Sequence, residues 1–166
     1  MAEGASGVGA IVDKFPKTSI FLDLKFHDIP NTVASALAVI GELGVDYTNL
    51  HASGGLEMME RALEAVNQAK APPKLLAVTV LTALNENGLK AVGQDTPVEN
   101  QVERLAKLTQ SAGLAGVVCS AHEIKALRAA CGDDFILMTP GIRPAGSALN
   151  DQKRVMTPHD ALSAGA

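Results

Sequence analysis

At 166 residues, 47% hydrophobic and 19% charged, the chain has the length of one domain and too much apolar content for a disordered segment. Its net charge is −4, no block of Lys or Arg occurs, aromatics make up 3% and there is no Trp. This excludes a basic nucleic-acid footprint and the aromatic platforms that stack single-stranded bases. No apolar run approaches the roughly 20 residues of a membrane-spanning helix, and 1–15 shows no secretory signal. Cys119 and Cys131, in apolar or helical surroundings, read as reduced thiols of a cytoplasmic protein, and no Cys/His spacing suggests zinc.

Val8, Ile11, Val12 and Phe15 recur at roughly helical spacing and predict a short helix ending near Lys14, before Pro16. A strand follows in the stretch from Ile20, where Ile20, Phe21, Leu22 and Leu24 are apolar; the chain turns at Pro30. Asn31 and Thr32 predict the cap of a helix striped by Val33, Leu37 and Ile40 and ended by Gly44. A second strand, Tyr47 to Ala52, leads through Ser53-Gly54-Gly55 into a helix carrying Leu56, Met59, Leu63 and Val66. Leu75 to Leu81 predicts the third strand, with Thr82 at its C-terminal end and a polar loop over 85–95. Thr96-Pro97-Val98-Glu99 predicts an N-cap, a first-turn Pro and an acidic third position for a helix that stops at Gly113.

Gly116 to Cys119 is the fourth predicted strand, followed by a capping box at Ser120-Ala121-His122-Glu123 and a helix with Ile124 and Leu127 inward. Phe135 to Thr139 is the fifth strand, running into Pro140-Gly141-Ile142-Arg143-Pro144, and Thr157-Pro158 opens a last short helix. Strands and helices alternate strictly, which means parallel strands joined by right-handed crossovers. Two α/β architectures fit: a five-stranded doubly wound sheet, or part of a (β/α)8 barrel, whose usual length is about 250 residues.

The chemistry gathers around the first strand. Alternation puts Asp23 and Lys25 on one face, and Asp28 follows three residues later. A strand covered on both faces would take these charges out of bulk water together, at a cost of several kcal/mol per ion unless they pair well. Asp23, Lys25 and Asp28 therefore read as one charged constellation at the C-terminal end of a strand, where parallel α/β proteins keep their chemistry. It positions a lysine as proton donor or binds a charged ligand; the competing reading is a structural ion pair. His27 and His51 lie nearby and read as hydrogen-bonded structural residues. Arg143, on a loop stiffened by two prolines, suits an anionic ligand. Thr82 stands ready to hydrogen-bond a ligand, whereas Lys153 and Arg154 read as a solvated surface.

Asp23-Leu24-Lys25-Phe26-His27-Asp28-Ile29-Pro30-Asn31-Thr32 resembles the active-site signature of bacterial orotidine 5'-phosphate decarboxylases. The Asp-x-Lys-x-x-Asp core is shared with a wider decarboxylase and synthase superfamily; Ile29-Pro30-Asn31-Thr32 points to the orotidylate enzymes. The likeness continues, in the family's order, through 45–55, 78–82, 116–120, 139–144 and the loop 146–157. It implies an incomplete (β/α)8 barrel covering about strands three to seven, with 1–166 as one partial domain. It further implies a homodimer without metal or organic cofactor that converts the nucleotide orotidine 5'-phosphate to UMP. By this resemblance Lys25 is the proton donor, and Asp23 lies beside the departing carboxylate. Asp28 and Thr32 reach into the partner's site, Thr82 lies near the substrate, and Arg143 and Gln152 serve the phosphate.

The family's first-strand Asp, second-strand Lys and eighth-strand Gly-Arg have no counterpart in this sequence. The expectation is an internal fragment, poorly active alone and exposed to aggregation at open sheet edges. Two alternatives stand beside this: a metal-dependent sugar-phosphate decarboxylase or synthase of the same superfamily, and a non-catalytic binding module of flavodoxin-like topology.

Overall fold

A computed structural model of the protein describes residues 4–144 and 156–166. Five strands, β1 (Phe21–Phe26), β2 (Tyr47–His51), β3 (Lys74–Val78), β4 (Gly116–Val118) and β5 (Ile136–Met138), lie side by side in chain order, each parallel to the next. Between and around them run α1 (Gly4–Lys14), α2 (Pro30–Gly41), α3 (Leu56–Val66), α4 (Glu86–Ala91), α5 (Val98–Ser111), α6 (Ile124–Cys131) and α7 (Pro158–Ala164).

Strand order decides between the two architectures. A doubly wound sheet reverses direction at a switch point and puts helices on both faces. Here the order is sequential throughout, and α2 packs on α3, α3 on α5 and α5 on α6. The helices thus form one layer outside the sheet, and the fold is an arc of a (β/α) barrel. The flavodoxin-like alternative falls with this topology.

The register sorts strand residues into two sets. Leu50, Ala77, Val117 and Leu137 align across four strands and join the core beneath the helices with Leu37, Met58, Met59, Ile124 and Leu127. One residue further on, His51, Val78, Val118 and Met138 align on the opposite, inner face. Asn49 shares that inner face, two residues before His51.

Local signals were honoured unevenly. At Ser120 the capping box forms: its Oγ accepts the His122 N–H at 3.4 Å, and the Glu123 carboxylate accepts the Ser120 N–H at 2.8 Å. Thr157 caps α7 through the Asp160 N–H at 3.2 Å. Asn31 and Thr32, however, lie inside α2, which begins at Pro30 with no side-chain cap. A proline at the first helical position lacks the N–H that a cap would satisfy and has its φ already set. α5 likewise starts at Val98, flanked by Pro97 and without a side-chain cap, one residue later than the sequence suggests. α2 ends at Gly41 rather than Gly44, which instead serves the following turn with φ +73°. The expected polar loop over 85–95 contains α4, capped by Asn85 accepting the Gly88 N–H at 3.0 Å and anchored by buried Leu89. No helix among the described residues is long and apolar enough to cross a membrane.

Candidate active site

The site is built on an irregularity in β1. Phe21 and Leu22 align with Tyr47 and Thr48, but the next aligned pair is Phe26 with Leu50. Four steps along β1 thus oppose two along β2, a bulge that lifts 23–25 out of the regular ladder. Lys25 has φ +52°, the one positive value outside glycine among the described residues. Such a conformation persists in a non-glycine residue only where its surroundings hold it.

Here the holder is Asn49, fully buried on β2. Its Oδ1 accepts the N–H of Leu24 at 3.1 Å and of Lys25 at 2.7 Å, and its Nδ2 donates to Asp23 Oδ1 at 2.7 Å. The Lys25 ammonium in turn lies 2.6 Å from both carboxylate oxygens of Asp23. Asp23 and Lys25 thus meet, as expected, but through a bulge and not through plain alternation. Nor are they withdrawn from water: their side chains are 44% and 41% exposed. The expectation that these charges leave bulk water together is therefore not met. At that exposure the pair adds at most about 1 kcal/mol to stability.

Partial burial by itself would raise the Asp23 carboxyl. Hydrogen bonds from Lys25 and Asn49, with the positive charges of Lys25 and His51, outweigh it and hold the group below its ordinary 3.8. Beside it the rings of His27 and His51 stack with centroids 5.2 Å apart. Burial, then the like charges of His27 and Lys25, push His51 below its ordinary 6.5 against the opposing pull of Asp23. In both cases the unfolded chain binds protons more readily than the folded one, so stability falls on acidification. For His51 the contribution is complete above about pH 6.5 and declines below it. Denaturant midpoints between pH 7.5 and 5.5 are expected to drop less in His51→Gln than in the parent; equal slopes would contradict the assignment.

Lys25 also faces a cleft of about 280 Å³ at the C-terminal ends of the strands, lined by Val78, Val80, Leu81, Thr82, Val118, Cys119 and Pro140 among others. Lys25 and Thr82 therefore share one cavity. The Asp28 carboxylate instead accepts the Ile29 N–H at 2.7 Å, beside the start of α2. Asp28 and Thr32 are both exposed, with the 67% exposed side chain of Ile29 between them. Arg143 is half-buried with its guanidinium donating to the Ile142 carbonyl at 2.9 Å, and it is not among the residues lining the cleft. Gln152 lies outside the described residues. Among the described residues no three His, Cys, Asp or Glu side chains cluster as metal ligands.

Residues 1–166 match the model of the orotidine 5'-phosphate decarboxylase / HUMPS family. The chain belongs to that family. It is 57% identical over 150 residues to orotidine 5'-phosphate decarboxylase of Trichlorobacter lovleyi, covering 89% of this chain and 62% of that protein. With the namesake of Shewanella sediminis it shares 58% over 148 residues, covering 89% and 63%. The chain thus spans less than two thirds of these relatives' length. Over 98% of the chain and 69% of the other, it superposes on the crystal structure of orotidine 5'-phosphate decarboxylase from Lactobacillus acidophilus with a TM-score of 0.85 at 38% identity.

In this member of the orotidine 5'-phosphate decarboxylase / HUMPS family, the arrangement sets a lysine side chain in the lining of a cleft with a carboxylate 2.6 Å from its Nζ. Sequence reasoning missed Asn49. Its place in the second strand was visible, but its partners lie 24 to 26 residues away and depend on the bulge.

Proposed function

We propose that the site decarboxylates orotidine 5'-phosphate to UMP, a step of pyrimidine biosynthesis. The observation that carries this reading is the Lys25 ammonium, 2.6 Å from the Asp23 carboxylate and lining a cleft with Thr82. Loss of CO2 leaves carbanion character on a pyrimidine carbon. An ammonium aimed there stabilises the charge as it develops and then supplies the proton that replaces the carboxylate. Asp23 holds the Lys25 Nζ through both carboxylate oxygens and sits where the departing carboxylate would lie. Its own negative charge disfavours the bound carboxylate and is relieved as CO2 leaves.

Such chemistry draws on binding energy away from the broken bond. Arg143 and Gln152 are assigned to the phosphate, Arg143 by turning from the Ile142 carbonyl onto the ligand. Thr82 is assigned to the substrate. Asp28 and Thr32, exposed at the start of α2 with Ile29 between them, are assigned to the site of a second copy in a homodimer. The 166-residue stretch alone is expected to be a weak catalyst, since it spans 62% to 63% of those relatives.

The test is to supply orotidine 5'-phosphate to the intact protein and follow UMP and CO2. Equal amounts of the two are expected, with undiminished turnover in EDTA and little from orotidine lacking its phosphate. Turnover of ketose phosphates instead, abolished by EDTA, would transfer the site to the metal-dependent branch.

A further inference from the structure

We infer that Asn49 is the positioning residue that sets the Lys25 ammonium in place, by clamping the bulge of β1 from β2. The inference rests on the proposed decarboxylation and adds to it a group that never touches substrate. Three observations meet at one amide. The side chain is fully buried, whereas the pair it serves is roughly half exposed. Its Oδ1 takes the N–H groups of Leu24 and Lys25, and its Nδ2 goes to Asp23 Oδ1, so one side chain holds three consecutive residues. Those residues sit where the strand pairing skips, and Lys25 there has φ +52°.

In a regular parallel ladder a β2 carbonyl would receive such N–H groups. The bulge removes that partner, and the Asn49 amide stands in for it. The job requires an acceptor and a donor on one short side chain. Asp lacks the donor, Ser lacks the reach, and Gln adds a methylene that a fully buried position has no room for. Without the clamp, two backbone donors lose their partner and Lys25 is free to relax to negative φ. The ammonium then swings off the axis on which it meets the cleft. A displacement of about 1 Å at a reacting group can cost about 10²-fold in rate.

The experiment compares Asn49→Ser and Asn49→Asp with the parent in the intact protein. For Asn49→Ser, kcat is expected to fall about 10²-fold while KM changes less than about threefold, because the residues assigned to the phosphate are untouched. The acid limb of the kcat profile should move to higher pH, since Asp23 loses a donor. In Asn49→Asp, which keeps the shape but sets a second carboxylate against Asp23, that limb should move further. A lowered melting temperature with unchanged kcat and pH profile would make Asn49 merely structural and overturn the inference.

Two readouts stand apart from turnover. The Asp23 carboxyl carbon, titrated by NMR, should have a higher midpoint in Asn49→Ser. In the parent, the Leu24 and Lys25 amides should exchange slowly with solvent. Rapid exchange there would refute the clamp even if no variant folds, and an unmoved Asp23 midpoint in folded Asn49→Ser would refute it as well. If orotidine 5'-phosphate is not turned over by the parent while these signals behave as expected, the proposed reaction fails and the clamp stands.

Discussion

Lys25→Ala is expected to lower kcat/KM for orotidine 5'-phosphate by about 10⁴-fold or more. A positioned proton donor contributes about 10²–10⁴-fold, and loss of one fixed charge aimed at a developing anion a further 10²–10³-fold. The two effects belong to one ammonium and overlap, so the lower part of their combined range is the sound expectation. Stability should barely move. The side chain is 41% exposed, its ion pair is worth at most about 1 kcal/mol, and alanine tolerates φ +52° no worse than lysine does. Lys25→Arg should be nearly as inactive despite keeping the charge, because a guanidinium does not release its proton near neutral pH. A Lys25→Ala protein with turnover within tenfold of the parent would remove Lys25 from the chemistry and leave Asp23–Lys25 as a structural pair.

The fate of this pair shows what the sequence disclosed. Two charges in an apolar strand drew attention to Asp23 and Lys25, and the structure brings these two side chains together at 2.6 Å, although they are not buried. The mechanism bringing them together was invisible, since a bulge depends on pairing with β2, a segment 24 residues away. Plain alternation happened to give the same neighbours. Their exposure, 44% and 41%, was likewise not legible, since periodicity says which face a side chain takes and not what lies over that face. Strand order was undecided for the same cause, as α/β alternation is common to barrels and doubly wound sheets. Purely local signals fared better where one hydroxyl met one amide, as at Ser120 and Thr157. They failed at Thr96, where the following proline took over the helix start. Leu89 anchored α4 inside a stretch too polar to suggest a helix.

Gly116→Ala should be among the most destabilising single-methyl additions to this chain. Gly116 lies in β4 between Leu76 of β3 and Ile136 of β5. A Cβ placed there would overlap the Ile136 carbonyl oxygen and come within 2.6 Å of the Ile136 Cβ and 2.7 Å of its carbonyl carbon. These are atoms of the neighbouring strand, so no side-chain rotation relieves the clash and β5 must move. Overpacking of this kind costs about 1–3 kcal/mol, with the upper end expected where backbone has to yield. About 3 kcal/mol is a large share of a typical 5–15 kcal/mol and lowers the melting temperature by about 6–12 °C. The shift would also reach the cleft, because β4 and β5 lead directly to Val118, Cys119 and Pro140 in its wall. Gly9→Ala is the matched control. Its Cβ meets nothing within 4 Å, and Gly9 lies in α1, where alanine gains about 0.5–1 kcal/mol over glycine. Melting curves should therefore move in opposite directions for the same chemical change. A Gly116→Ala protein melting within 2 °C of the parent would mean that β4 and β5 are not packed as tightly at Ile136 as this register requires.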